Sequence, residues 1–278
     1  MPELPEVERG RRLAESVAGG RRIEHVWCAD DEIVFDSVAP RAWHRALEGK
    51  RVEAARRWGK QLWFDLSAPP HPLFHFGMTG AFRTPTTTPL QLKSGPREDP
   101  AAWPPRFVKI RMRFNDGGEL VMVDGRRLGR ILLRDDPERQ PPIARLGFDP
   151  LLAMPPPKRF SEMLRARSAN VKSLLLDQSF AAGVGNWIAD EVLYQAGIDP
   201  RRRASSLTDA EAKRMRSRLA AIVKRAVDVN ADNSLYPRSW LFHRRWGRQD
   251  DAKTASGQPI EHVTIGGRTT AWVPSAQR

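Results

Sequence analysis

The spacing of apolar residues changes once along this chain, and that change divides it in two. Before about residue 134 they recur at every second position: Val108, Ile110, Met112 and Phe114 alternate with Lys109, Arg111 and Arg113, and Leu62, Phe64 and Leu66 with Gln61, Trp63 and Asp65. A period of two puts alternate side chains on opposite faces of a strand. Asn115-Asp116-Gly117-Gly118 turns the chain into Leu120-Val121-Met122-Val123, which predicts a hairpin with one wet, basic face. After a first helix, residues 21–134 read mostly as strands that pack as a sandwich, and the Pro-, Thr- and Gly-bearing segment 84–105 reads as a long loop. Gln140-Pro141-Pro142 and Pro155-Pro156-Pro157 mark a linker, beyond which the spacing becomes helical.

In the helical half, Thr208 with Glu211 makes a capping box, and Met215, Leu219, Ile222, Val223 and Ala226 give the next helix one apolar stripe. Its other face carries Lys213, Arg214, Arg216, Arg218, Lys224 and Arg225, which suits either a solvated face or contact with phosphates. Gly183-Val184-Gly185-Asn186 predicts a tight turn opening a second helix through Ile188, Val192, Leu193 and Ala196. Such a turn is either an anion site or an ordinary helix connection. From Ile260 the alternation of strands returns, turns at Gly266-Gly267-Arg268 and runs back through Trp272, presenting Arg268 at the tip.

Charge narrows the partners. With 46 Lys and Arg against 33 Asp and Glu, the net charge is +13 over 278 residues, which points to a polyanion. No apolar run is long enough for a membrane span, and the first residues lack the order of a signal peptide, so an intracellular protein is expected. The single cysteine, Cys28, excludes an internal disulfide and any multi-cysteine zinc site, and reads as a packing residue in a strand.

The start of the chain carries the chemistry. Removal of Met1 leaves Pro2 as a secondary amine, and an α-amino group titrates near pH 8 (about 7.7–8.0), so much of it is unprotonated nucleophile without burial. Pro5 suits the first turn of a helix, whose positive end favours a free amine and ionised carboxylates. Glu3 and Glu6, three apart, then lie beside the amine. An amine that attacks a sugar C1′ expels the base as an iminium forms, and an adjacent acid protonates the opening ring oxygen. A plain helix start accounts for the same residues.

The run Met1-Pro2-Glu3-Leu4-Pro5-Glu6-Val7-Glu8 resembles the signature of formamidopyrimidine-DNA glycosylases and the related endonuclease VIII enzymes. Arg57-Trp58-Gly59-Lys60 is similar to the family's catalytic-lysine segment, Phe76-Gly77-Met78-Thr79-Gly80 to its void-filling methionine loop, and Asp124-Gly125-Arg126-Arg127-Leu128-Gly129 to its arginine wedge. Asp177-Gln178 with Gly183-Val184-Gly185-Asn186 resembles the helix-two-turns-helix element, and Gly267-Arg268-Thr269-Thr270 the turn of the zinc finger. The resemblance implies an α+β fold: an N-terminal helix and β-sandwich over 1–138, a linker over 139–157, a helix-two-turns-helix domain over 158–244 and a finger hairpin over 245–278.

It also implies roles. Pro2 is the Schiff-base nucleophile, Glu3 the proton donor, Glu6 a supporting carboxylate, and Lys60 a phosphate ligand that assists β-elimination. Met78, Arg126 and Leu128 fill the space left by the flipped base. Lys172 and Asn186 hold phosphates, and Arg268 grips phosphates at the lesion and assists δ-elimination. The implied protein is a monomeric base-excision glycosylase and AP lyase acting on damaged double-stranded DNA. The alternatives are an endonuclease VIII-like preference for oxidised pyrimidines and a damage-binding protein without catalysis.

Two departures bear on that expectation. The positions matching the family's zinc-binding cysteines are about Lys253, Ser256, Val273 and Ala276, none of which suits tetrahedral zinc, so no metal and no cofactor is expected. The hairpin is then similar to the zincless finger of the plant and fungal branch, held by Ile260, Val263, Ile265 and Trp272. Leu128 stands where an aromatic is common, and Asn233–Arg248 is short for the loop that covers 8-oxoguanine. Both favour formamidopyrimidines, hydantoins and abasic sites over 8-oxoguanine.

Overall fold

Glu3, Pro5 and Glu6 set the first element. Glu3 is the N-cap of α1 (Leu4–Ala18), with Pro5 in the first turn, and its backbone N–H donates to Glu6 Oε2 at 2.9 Å in a capping box. The apolar face of this helix, Leu4, Val7, Ala14 and Ala18, is buried. The computed structural model describes residues 2–86, 103–246 and 251–278, so the part of the expected loop at 87–102 lies outside the described residues. The chain divides into two compact units, Met1–Arg145 and Leu146–Arg278, and the division falls within the expected linker.

In the first unit, α1 is followed by β1 (Ile23–Cys28), α2 (Pro40–Leu47), β2 (Val52–Trp58), β3 (Gln61–Leu66), β4 (His71–His75), β5 (Ala81–Arg83), β6 (Val108–Phe114), β7 (Glu119–Val123) and β8 (Arg130–Arg134). The strands form two antiparallel sheets, ordered β1-β6-β7-β5 and β2-β3-β4-β8. Their inner faces meet in one core: Val26, Ile110, Met112, Met122 and Phe82 from one sheet, Leu62, Phe64, Phe74 and Ile131 from the other. Phe82 bridges the sheets, its ring 5.0 Å from Phe74 and 6.0 Å from Phe64. Cys28 is buried in β1 as a free thiol, and burial pushes its pKa up to about 12, so it packs and does not react.

The period-two reading needs two corrections here. Residues 40–47 are a helix: Pro40 opens it, and Trp43 and Leu47, one turn apart, are fully buried, a helical spacing too short to stand out among strands. The face of β6 expected to be wet is only partly so. Lys109 is buried against Asp31, Nζ to Oδ2 2.7 Å, and Arg111 is half-buried against Glu119, because charge pairing lets cations enter a face that alternation alone leaves to water.

The second unit contains α3 (Pro157–Arg165), α4 (Val171–Leu176), α5 (Asn186–Ala196), α6 (Asp209–Asp228) and the hairpin β9 (Glu261–Ile265) and β10 (Arg268–Trp272). Thr208 and Glu211 form the expected capping box of α6, and Met215, Leu219, Ile222, Val223 and Ala226 are all buried. Its basic face is partly engaged within the unit: Arg214 Nε donates to Ala196 O (3.3 Å), Arg216 Nε to Pro155 O (2.5 Å) and Arg225 Nη2 to Leu235 O (3.2 Å). Two short 3₁₀ turns, Asn233–Leu235 and Leu241–His243, flank an aromatic cluster of Trp187, Tyr236, Trp240 and Phe242.

Candidate functional site

At the start of α1, Glu3 is 2% exposed, Glu6 half-buried, and Pro2 buried while Met1 is still attached. Burial, and after it the adjacent Glu3 carboxyl, push the Glu6 pKa up to about 7, against the lowering effect of the Glu3 backbone N–H. A carboxyl that changes state near neutrality, one helical turn from the chain's second residue, is suited to proton exchange there.

Lys60 follows Gly59 in the tight turn between β2 and β3, where Trp58 pairs with Gln61 and Gly59 has φ +57°. A buried ion pair ties this turn to α1. Arg57, its side chain fully buried, donates from Nε to Glu8 Oε2 at 3.0 Å and from Nη1 to Gly59 O at 2.9 Å. Burial alone raises the Glu8 carboxyl, but hydrogen bonds from Arg11 and Arg57 and their charges outweigh it and hold its pKa below the ordinary value. His75, at the end of β4, is nearby. Burial first, then the charges of Lys60 and Arg130, lower its pKa to about 4, so it is neutral at pH 7, and its Nδ1 accepts the Gly77 N–H at 3.2 Å.

The structure brings Met78, Arg126 and Leu128 together on two touching loops. At Gly77 (φ +61°) a Cβ would strike the Leu128 carbonyl carbon, so only glycine permits that approach. Gly10 of α1 does the same for Phe76, whose ring would lie 2.8 Å from a Cβ. Asp124, wholly buried, joins the loops: Oδ1 accepts from Thr79 Oγ1 (3.4 Å) and Arg126 N–H (3.2 Å), and Oδ2 from Gly129 N–H (2.6 Å). Met78 is half-buried, while Arg126 and Leu128 are exposed. The neighbouring Arg127, in the left-handed region at φ 55°, is instead paired with Asp31.

In the second unit, Gln178 braces the glycine turn, donating from Nε2 to Val184 O (2.9 Å) and accepting the Gly183 N–H at Oε1 (3.1 Å). Asn186 opens α5, and its Nδ2 donates to Thr269 O at 2.8 Å, next to exposed Arg268. Lys172 corrects the sequence expectation. Its side chain is fully buried, ion-paired to Asp190 and donating to Asn186 O at 3.0 Å. The apolar packing of α4 against α5 draws this ammonium inward, where it meets a carboxylate in the protein; it is not presented to a phosphate.

Glu8, Arg57, His75, Asp124 and Asp190 were not singled out from sequence. A charged residue inside a strand or helix looks solvated until its partner, distant in sequence, is placed beside it; only the DGRRLG and RWGK contexts of Asp124 and Arg57 offered a signal.

A proline-led helix seated on a β-sandwich, followed in the same chain by a helix-two-turns-helix unit with a glycine-tipped hairpin, defines a two-unit class of nucleic-acid-binding fold. Residues 1–131 match the formamidopyrimidine-DNA glycosylase N-terminal domain and residues 146–236 the formamidopyrimidine-DNA glycosylase H2TH domain. The chain belongs to the formamidopyrimidine-DNA glycosylase family. It is 40% identical to the formamidopyrimidine-DNA glycosylase of Arabidopsis thaliana across all of this chain and 71% of the relative, and 32% identical to that of Geobacter metallireducens across all of both. Among solved structures it is similar to Lactococcus lactis formamidopyrimidine-DNA glycosylase bound non-covalently to DNA with an AP site (TM-score 0.80, 25% identity, 99% of each chain) and to MutM in complex with DNA containing carbocyclic 8-oxo-G (TM-score 0.80, 26% identity, all of both chains).

Proposed function

We propose that this protein is a bifunctional DNA glycosylase and AP lyase of base excision repair that removes oxidised bases through an imine on Pro2. The nitrogen of processed, unprotonated Pro2 bonds to C1′ as the bond from C1′ to the base breaks; the base leaves with that electron pair and takes up the proton that the Pro2 nitrogen gives up. Glu3 gives a proton to O4′ as the ring opens, leaving an iminium ion that ionised Glu6 stabilises. Loss of a C2′ proton then expels the 3′-phosphate, assisted by Lys60, and a second elimination expels the 5′-phosphate, assisted by Arg268. Water releases the sugar remnant and restores the amine.

The observation that carries this reading is the pair of acids at the start of α1, one tuned to about pH 7, on a helix tied through Glu8 and Arg57 to the Lys60 turn. Borohydride trapping tests it. Processed protein should give a covalent band with abasic DNA that disappears in Pro2→Gly and in protein retaining Met1; no band from the processed protein means a DNA-binding protein without catalysis.

Formamidopyrimidines, hydantoins and abasic sites are the preferred substrates, supported by exposed Leu128 in place of an aromatic and by the short turns at Asn233–Leu235 and Leu241–His243. Turnover of 8-oxoguanine opposite cytosine equal to that of formamidopyrimidine refutes this, and faster turnover of thymine glycol favours the endonuclease VIII-like reading. The protein acts as a monomer, inside the cell where the DNA is; no helix among the described residues is long and apolar enough to cross a membrane. A hairpin held by packing in place of zinc is supported by Val273, which packs with Leu241, Ile260 and Ala271 where the family's zinc site has a cysteine. Chelator should leave melting and activity unchanged.

A further inference from the structure

Asp190 of α5 lies at the centre of a buried cluster. Its Oδ1 takes the ammonium of Lys172 from α4, and its Oδ2 accepts from Arg245 Nε (3.0 Å) and Nη2 (2.6 Å) and from the Ala271 N–H of β10 (3.2 Å). The side chains of Lys172 and Asp190 are fully buried and that of Arg245 is 5% exposed. Donors from three separate segments thus converge on one carboxylate in a medium where an unpaired charge is very costly, which leaves little freedom in their relative placement. The contacts close into a ring. Lys172 also donates to Asn186 O, Asn186 Nδ2 donates to Thr269 O, and two residues on from Thr269 the Ala271 N–H returns to Asp190. Arg268 directly precedes Thr269, and the tip glycine Gly266 sits against Ser173 of α4.

We propose that Asp190, with Lys172 and Arg245, is a positioning centre that sets Asn186 and Arg268 in register for the phosphates flanking the lesion, in a hairpin that lacks the usual metal ligands. The proposal rests on the glycosylase reading for what the two residues grip. It also gives Lys172 its role: the lysine acts through Asn186. The neighbouring Glu191 takes its hydrogen bonds from Gln195 Nε2 and the Phe242 N–H, with the charge of Arg245 close enough to act on it.

Asp190→Asn would strand two buried cations and fail to fold, so the informative variants are Arg245→Met and Arg245→Lys in the full, processed chain. Amide hydrogen exchange at Ala271 is read without DNA, and binding is measured to a duplex holding a tetrahydrofuran abasic analogue. In Arg245→Met the Ala271 amide should exchange about tenfold faster and the duplex should bind about tenfold more weakly, with partial recovery in Arg245→Lys. Because Arg245 acts through the hairpin tip, Arg245→Met should weaken binding little further once Arg268→Ala is present. Unchanged exchange at Ala271, or full additivity of the two substitutions, overturns the proposal. Failure of wild-type protein to prefer the abasic duplex overturns the glycosylase reading instead, and the exchange result still decides whether the cluster holds the hairpin.

Discussion

Burial and the adjacent Glu3 carboxyl push the Glu6 pKa up to about 7, so its charge changes close to neutrality and bears directly on whether a neighbouring amine keeps its proton. An ionised Glu6 holds that proton on and also steadies the iminium that follows. Replacing it with glutamine should move the rising limb of the pH profile for borohydride trapping to lower pH and reduce the plateau by roughly 10²-fold or more, the usual range for a positioned acid–base group. An unmoved limb would show that Glu6 is a capping residue only. The same scale explains what was legible here from sequence. Glu3 and Glu6 could be read as a pair from their spacing, but the shift on Glu6 depends on what covers it. Lys172 was misplaced because a lysine in a short amphipathic helix gives no sign of a buried aspartate 18 positions further on.

Among the elements, the two loops that carry Met78, Arg126 and Leu128 depend on one carboxylate and one glycine. Asp124→Asn keeps an acceptor for one loop and loses the short bond to the Gly129 N–H. A lost hydrogen bond to a buried charged group costs about 1.5–3 kcal/mol, visible as a lower melting temperature and faster exchange at Gly129. Gly77→Ala forces the loops apart and strains a left-handed backbone, so it should weaken binding to abasic duplex more than it lowers the melting temperature. Equal losses in both would mean the loops serve the fold and not the DNA. The ion pair of Arg57 with Glu8 is the analogous tie for Lys60. Arg57→Met removes one partner of a carboxylate that Arg11 still holds and should destabilise the protein by about 1.5–3 kcal/mol, the usual cost of a lost hydrogen bond to a charged group. These elements were legible in the sequence as motifs, whereas the contacts joining them were not, since each bond spans strands or loops whose register only folding sets.

For the whole molecule, opposing pKa shifts define a window of stability. Glu6 and Glu191, both raised to about 7 chiefly by burial, bind protons more readily folded than unfolded; their contribution is complete below about 4.5 and is lost as pH rises through 7. Glu8, Asp31 and Glu211 lie below their ordinary values because arginine and lysine partners favour the ionised form, and His75 is held neutral by burial; these contributions are lost on acidification, that of His75 from about 6.5 and those of the carboxylates from about 4.5 downward. Thermal melting should therefore peak between about pH 4.5 and 6.5; a melting temperature still rising above pH 7 would contradict these assignments. By itself the sequence determined the class of fold, because the apolar spacing of 62–66, 108–123 and 215–226 is local and dictates which faces must be buried. It also carried the Pro2, Glu3 and Glu6 spacing on which the proposed N-terminal chemistry rests, and a single cysteine far from the hairpin, both of which follow from residue identity alone. Only the tertiary structure decided which charges are buried and paired, as with Lys109, Lys172, Arg57 and Asp190, because desolvation and pairing depend on what other parts of the chain are packed against a residue, and spacing along the chain carries none of that.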